Sequence, residues 1–321
     1  MVTPGMTAPP PLLVVGELCV DVIVQLERDD VRFGQHEQLV ASTTLTMGSS
    51  SAITACGAAR LGVPTALVAV RGDDVFGRFL ADELQRHGVD GAVGRVDPSL
   101  PTGSSTHLAR PDGDRAILTA MGSIGAVSGS DVPDSLLRAH AHLHVGSYFL
   151  QESLWRDAPD LFAHARALGL GTSLDGNFDP ALGWDRGIRD VLPHVQVLFG
   201  NEQELLGISG ADGLTAAVST LLDLLPPDGV VVLKLGRDGA EVHTRAEVAR
   251  AAAPNLRAPV VDTVGAGDSL AAGFLASRLR GEALERNLAI GVACGTASVR
   301  GAGGTGAQAT WDEAVELAQI S

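Results

Sequence analysis

Apolar residues in this chain form two patterns. Short runs of four or five read as buried strands, and longer stretches with apolar positions three and four apart read as helices. Leu12–Val15 is the first short run, followed by GELCVDVIV at 16–24. The small residues of GSSSAITACGAARLG at 48–62 lead into a helix that stops near Gly62, and the run 63–70 is again strand-like. From Asp73 to His87 the spacing predicts a helix, with Phe76, Phe79, Leu80 and Leu84 on one side and Gly88 as its stop. TGSSTHLA and RAILTA, joined by PDGD at 111–114, predict a hairpin. Beyond it come HLHVGSY, a helix near 153–168, LGTSLDGN, a helix near 185–192, VQVLFG, helices to 225, GVVVLKLG and a hairpin at 239–249. Two Ala/Leu-rich helices over about 267–279 and 282–299 end the pattern. Strand–helix alternation predicts an α/β fold, a mostly parallel sheet with helices on both faces. The segments 16–47 and 102–120 are expected to form a small β lid on one domain covering 12–321, behind a flexible tail at 1–11.

Composition narrows the partners. The 321 residues hold 23 Lys+Arg against 38 Asp+Glu, a formal net charge of -15. That field repels nucleic-acid backbones at long range, while a small nucleotide can still be held by a local set of amides. Cys19, Cys56 and Cys294 are far apart and make no CxxC pair, which fits a reducing cytoplasm. No apolar run approaches the roughly 18 residues of a membrane span. The N-terminus has no basic residue ahead of an apolar stretch and reads as a tail, not a signal peptide.

The strongest local signal is VVDTVGAGDSLAAGFLA at 260–276. Gly265, Ala266 and Gly267 form a nearly bare turn before a helix expected to start at about Asp268. Amides of a first helical turn lack intrahelical partners and sit at the dipole's positive end, which makes an anion site. Asp268 has two readings there. It is either a cap worth roughly 1 kcal/mol or a base that takes a proton from an attacking hydroxyl. The bare turn before it and a second acid at Asp262 favour the base.

With these residues in view, the chain resembles the ribokinase-like, PfkB-type family of carbohydrate kinases. DTVGAGD at 262–268 matches the family's C-terminal signature, GELCVDVIV its opening strand, RGDDVFG at 71–77 its GDDxFG segment, NEQE at 201–204 its NxxE motif and LKLGRDG at 233–239 its nucleotide-side turn. The resemblance implies a three-layer ribokinase-like sandwich, and transfer of the γ-phosphoryl group of ATP to a sugar hydroxyl with Asp268 as base and the Gly265–Gly267 amides stabilising the moving charge. It implies Asp21, Gly48, Asn177 and Asp268 at the sugar, and Thr263, Gly265, Gly267, Lys234, Gly236 and Gly239 at the nucleotide. Asn201 and Glu204 would act on Mg2+ through water, and Asp262 with the Val264 carbonyl would hold K+. A homodimer paired through the outer face of the lid is expected, as in similar kinases. One departure concerns the sugar: Ser49 replaces the second Gly of the N-terminal signature, and Ile53 stands where a sugar-contacting Asn is expected.

Several features carry a bland reading beside the functional one. Lys234, the only lysine, either touches nucleotide at a strand's carboxyl edge or is a survivor of a bias towards Arg. Asn177 is either a substrate contact or a turn residue. Asp175, Asn177 and Asp179 resemble a calcium loop, but Pro180 and Arg186 stand where that loop needs Gly and Glu. GAGGTG at 301–306 lacks the preceding strand and following acid of a dinucleotide site. His140, His142 and His144 share a strand face and would suit zinc if they were not simply packed. Arg110 and Arg115 flank the hairpin turn, either solvated or closing on substrate. Two alternatives stand beside the sugar kinase. One is a nucleoside kinase, for which only Tyr148 and Phe149 lie where a base stacks; the other is a non-catalytic sensor on the same fold.

Overall fold

The computed structural model describes residues 8–28, 30–91, 94–256 and 258–319; the tail expected over 1–11 lies mostly outside them. The short apolar runs are strands of one eight-stranded sheet. Its spatial order is Val248–Ala251, Ala240–His243, Val230–Lys234, Val197–Asn201, Gly171–Asp175, His142–Val145, Leu12–Val15 and Thr65–Val68. The last six pair in parallel, and the 240–251 hairpin adds two antiparallel strands at one edge. Side chains alternate across the sheet. Leu12 and Val14 enter a core shared with the helices Ser50–Arg60, Ala266–Leu279 and Leu284–Ser298. Leu13 and Val15 enter the opposite core, under Ala158–Ala167, Glu202–Ser209 and Leu214–Leu224. Burial of both faces explains why these strands read as unbroken apolar runs. The result is the expected three-layer α/β sandwich.

A smaller sheet, in the order Val40–Met47, Cys19–Leu26, Gly103–Ala109 and Arg115–Ala120, is built from the segments assigned to the lid. Asp74 fastens it to the main body. Its carboxylate caps the helix Val75–Arg86 through the Gly77 amide at 2.7 Å, and also accepts the amide and hydroxyl of Thr102, each at 2.7 Å. The GDDVFG segment is therefore a structural clamp.

Elsewhere prolines shift the expected boundaries. The helix expected from 153 begins at Ala158, because Pro159 is tolerated only in a first turn. Pro193 tightens the end of the short helix Ile188–Val191 into a 3-10 turn at Leu192–His194. A final helix, Trp311–Ala318, was not expected. Thr310 and Glu313 start it with a capping box, a Thr-x-x-Glu signal present in the sequence.

The three histidines do not act together. His140 precedes the strand and its Nδ1 contacts the Leu136 carbonyl at 2.7 Å. His142 Nε2 and His144 Nδ1 each lie 2.8 Å from Ser173 Oγ, fully buried between strands. A single hydroxyl proton serves one imidazole, which must be neutral, and the other imidazole donates to the oxygen; burial favours the neutral form of both. No group of three metal-ligating side chains occurs among the described residues.

Burial lowers the pKa of both rings, that of His144 to about 4. The folded values lie below the unfolded one near 6.5, so their contribution is complete above pH 6.5 and is lost as pH falls towards about 4. Each neutral histidine should cost about 1.4 kcal/mol of stability per pH unit in that window. Denaturant titrations between pH 7 and 4 should show this loss, and a His144→Gln variant should show less of it. Equal slopes in the two proteins would contradict the assignment.

Candidate active site

The carboxyl ends of the parallel strands carry the polar groups. Asp175 ends one strand, Lys234 another, and Glu17, Ser147 and Asn177 follow just beyond strand ends. Lys234 Nζ lies 2.8 and 3.1 Å from the two oxygens of Asp175, and 3.8 Å from Glu204 Oε2. Burial alone would lower the lysine's pKa, but Asp175 and Glu204 raise it and keep the ammonium charged. Its side chain also comes within 3.3 Å of where a Cβ on Gly267 would stand. Lys234 thus reaches the bare turn, and Asp175, given no role by the sequence reading, is what holds it there.

The bare turn opens the helix Ala266–Leu279, two residues before the expected start. Gly265 is its N-cap at φ +73°, where a Cβ would meet Gly304 Cα at 2.7 Å and Ile53 Cγ2 at 3.0 Å. Only glycine suits both the conformation and the space. Ile53 is buried beneath this corner as packing against Gly265 and Gly304. Among the described residues, the amides of Gly265, Gly267 and Asp268 have no hydrogen-bond partner, and the Ala266 amide has only a long one of 3.4 Å to Thr263. Three unspent amides at the positive end of a helix of 14 residues make an anion-binding corner.

Asp268 sits in the first turn of this helix and does not cap it. Its Oδ1 accepts a hydrogen bond from Ser50 Oγ, which also lies 3.2 Å from Asn177 Oδ1. Asn177 Oδ1 in turn accepts the Ser147 amide at 3.0 Å. Glu17, buried, accepts from the hydroxyls of Ser51 at 2.6 Å and Ser147 at 2.8 Å. Burial lifts the Asp268 pKa to about 6; the Ser50 hydrogen bond and Lys234 oppose it, while Asp175 and Glu17 add to it. A carboxylate whose pKa is lifted to about 6, beside an anion-binding corner, is still mostly ionised near neutral pH and is a stronger proton acceptor than an ordinary Asp.

Sequence reasoning missed Glu17, Ser50, Ser51 and Ser147. Three serines in a row before a helix and an acid directly after the first strand were the available signals. Ser49 lies at φ +77°, a conformation that favours glycine, while its side chain caps the helix Ser50–Arg60 at the Ala52 amide.

Asp21 lies on the small sheet, buried, with His107 Nε2 at 3.4 Å from Oδ1. A Cβ on Gly48 would stand 2.2 Å from the Asp21 carboxylate, so glycine is required for the approach. Asn201 and Glu204 form a capping box: each side chain accepts the other's amide, at 3.0 and 2.8 Å. Asp262 accepts the amides of Val264 and Gly303, both at 3.0 Å, and Arg115 Nη1 lies 3.6 Å from its Oδ1. Tyr148 and Phe149 do not line the site. Both are buried, and the Tyr148 hydroxyl donates to the Arg186 carbonyl, so neither offers a face to a base. On the other side of the corner lies a cavity of about 630 Å³. Lys234, Gly236, Gly239, Thr263, Ala266 and Gly267 line its polar end, and Leu270, Val292 and Val299 its apolar wall.

The model of pfkB family carbohydrate kinases matches residues 10–311. An ATP-dependent ribose-1-phosphate kinase from Halopiger xanaduensis is 31% identical over 286 residues, covering 88% of this chain and 90% of the relative. A 2-dehydro-3-deoxygluconokinase from Thermoproteus tenax is 33% identical, covering 80% of each chain. The structure of Arabidopsis thaliana ribokinase complexed with ribose and ATP superimposes with a TM-score of 0.83 at 24% identity, covering 98% of this chain and 100% of that one. An Escherichia coli protein solved in complex with ATP and Mg2+ gives 0.84 at 22% identity, covering 97% of this chain and 100% of that one. The two solved structures establish the ribokinase fold.

Ser50→Ala removes the one hydrogen bond that favours the charged form of Asp268. In that variant the carboxyl should titrate above the wild-type value of about 6, followed by carboxyl-labelled NMR. An unchanged or lower value would mean that Ser50 does not stabilise the carboxylate.

Proposed function

The chain belongs to the pfkB family of carbohydrate kinases, phosphotransferases with an alcohol acceptor, and we propose that its own residues divide the work of transfer from ATP to a sugar hydroxyl as follows. The acceptor lies between Asp21, Gly48, Asn177 and Asp268, and ATP occupies the 630 Å³ cavity with its terminal phosphate at the Gly265–Gly267 corner. The acceptor oxygen attacks the γ-phosphorus. The bond from that phosphorus to the bridging oxygen breaks, ADP leaves with the electron pair, and the hydroxyl proton passes to Asp268. The unpaired amides and Lys234 meet the charge on the moving phosphoryl group. The observation that carries this reading is the buried Asp268 beside three amides without partners.

Glu204 has one carboxylate oxygen left over from its capping box, which fits a water-mediated contact to Mg2+. When bound, Mg2+ would neutralise phosphate charge. Asp262 with the Val264 carbonyl is the proposed K+ site, each Asp262 oxygen keeping a lone pair beside the one amide it accepts. Rates unchanged on replacing K+ by a large organic cation would remove it.

The acceptor is a monosaccharide or a sugar derivative. The burial of Tyr148 and Phe149 counts against a nucleoside. Intact Asp268 and its corner count against a sensor, which has no use for a base. The small sheet acts as a lid. Its outer face exposes Leu45 and Leu118 in one register row with Val22, and a second copy of the chain is proposed to cover it. Three buried free cysteines support a cytoplasmic setting, and no single helix among the described residues is long and apolar enough to cross a membrane.

Asp268→Asn should lower turnover on the best acceptor by about 10²–10⁴-fold and leave ATP affinity, read by calorimetry, within a small factor. Normal turnover would remove the base assignment. Wild-type kcat/KM should fall below an apparent pKa of about 6, where Asp268 becomes protonated and can no longer accept the hydroxyl proton. A rate independent of pH from 7 to 5 would contradict that role.

A further inference from the structure

The small sheet and the loops at 261–264 and 302–303 enclose a second cavity, of about 410 Å³, in which the reading above places only the K+ site at Asp262 and Val264. It adjoins the acceptor position. His107, 3.4 Å from Asp21, lines it, and so does Thr46, the register partner of Asp21 on the neighbouring strand. Its polar wall comprises Gln25, Thr44, Thr46, His107, Arg110 and Arg115.

The charge of this wall runs against that of the chain. The protein carries a net -15, yet two arginines face the cavity and Asp262 is the one carboxylate among its lining residues. Asp262 already accepts two amides. Its contact with Arg115, at 3.6 Å, is longer than a charge-assisted hydrogen bond of about 2.8 Å. The Arg115 side chain makes no hydrogen bond among the described residues, so all five donors of its planar fork are unspent. Among the described residues, the Arg110 side chain meets only the exposed Asp114, at 3.4 Å. If a neutral sugar filled the space and water left, the guanidinium would keep only its 3.6 Å contact with Asp262, at a cost in binding. A carboxylate or phosphate matches the fork in both charge and shape.

Resting on the kinase reading, we propose that the acceptor is an anionic sugar whose carboxylate or phosphate occupies this cavity against Arg115, while a hydroxyl at its other end faces Asp268. Arg110 is the second counter-charge, brought closer as the lid closes. Specificity then comes from the lid, and the chemistry from the helix corner beneath it.

The test is ADP release from ATP and Mg2+ with three sets of acceptors: sugar monophosphates, sugar acids and the matching neutral sugars. One anionic set should exceed its neutral counterparts by at least about tenfold in kcat/KM, and the phosphate and acid arms tell which anion is taken. Arg115→Ala should raise KM for that acceptor roughly 10–100-fold, with a much smaller change in kcat, and Arg115→Lys should recover part of the loss. A wild-type preference for neutral sugars overturns the anionic class and leaves the kinase reading standing. So does an Arg115→Ala loss that is equal on neutral and anionic acceptors. No ADP release with any acceptor overturns the kinase reading, and this inference with it.

Discussion

Desolvation of one carboxylate sets the character of the whole site. Asp268 stands in the first turn of a helix, where the dipole favours its charged form. Ser50 donates to it and Lys234 lies near, and both favour the charge as well. Burial outweighs them and lifts the pKa to about 6. An exposed Asp at the same helix position would remain ionised at neutral pH and be a poor proton acceptor. The fold produces a better one by closing two helices, Ser50–Arg60 and Ala266–Leu279, over the carboxyl group.

The same edge must also keep a cation without water. Lys234 is buried between Asp175 and Glu204, which come from different strand ends. Asp175, in direct contact, balances the ammonium, because a buried charge without a partner is more costly than the pair is stabilising. Glu204 lies further off and is doubly used. One of its oxygens completes the helix cap with Asn201 and faces Lys234, and the other is left over. Asp74 shows the same economy, closing a helix and anchoring the small sheet with one carboxylate. In both cases a motif that resembles a chemical signature is first a solution to unpaired backbone amides.

Much of the architecture was legible because its causes are local. Leu12–Val15, Val197–Asn201 and Val230–Lys234 are strands where short apolar runs required them. The bare Gly265–Gly267 turn announced both the helix and the anion corner. Less legible were features whose cause lies across the molecule. The Ser50 hydroxyl reaches a residue 218 positions away. Glu17 gathers donors from Ser51 and Ser147, and no spacing rule links these three. The histidine run looked like one strand face, yet His140 lies outside the strand and Ser173, on the next strand, explains the other two. Tyr148 and Phe149, the only aromatics that lay where a base could stack, are core, because the strand end they follow turns them under the helices.

By itself the sequence determined the alternation of strands and helices, the position of the glycine corner and the class of chemistry that such a corner serves. These follow from periodicity and from backbone freedom, which neighbouring residues settle among themselves. Only the tertiary structure decided which carboxylate is dry enough to act as a base, which acid holds the lysine, and that an arginine with unspent donors lines a cavity beside the proposed acceptor site. Burial and the field at a point are sums over segments far apart in the chain, and they acquire values only when the sheet brings those segments to one edge.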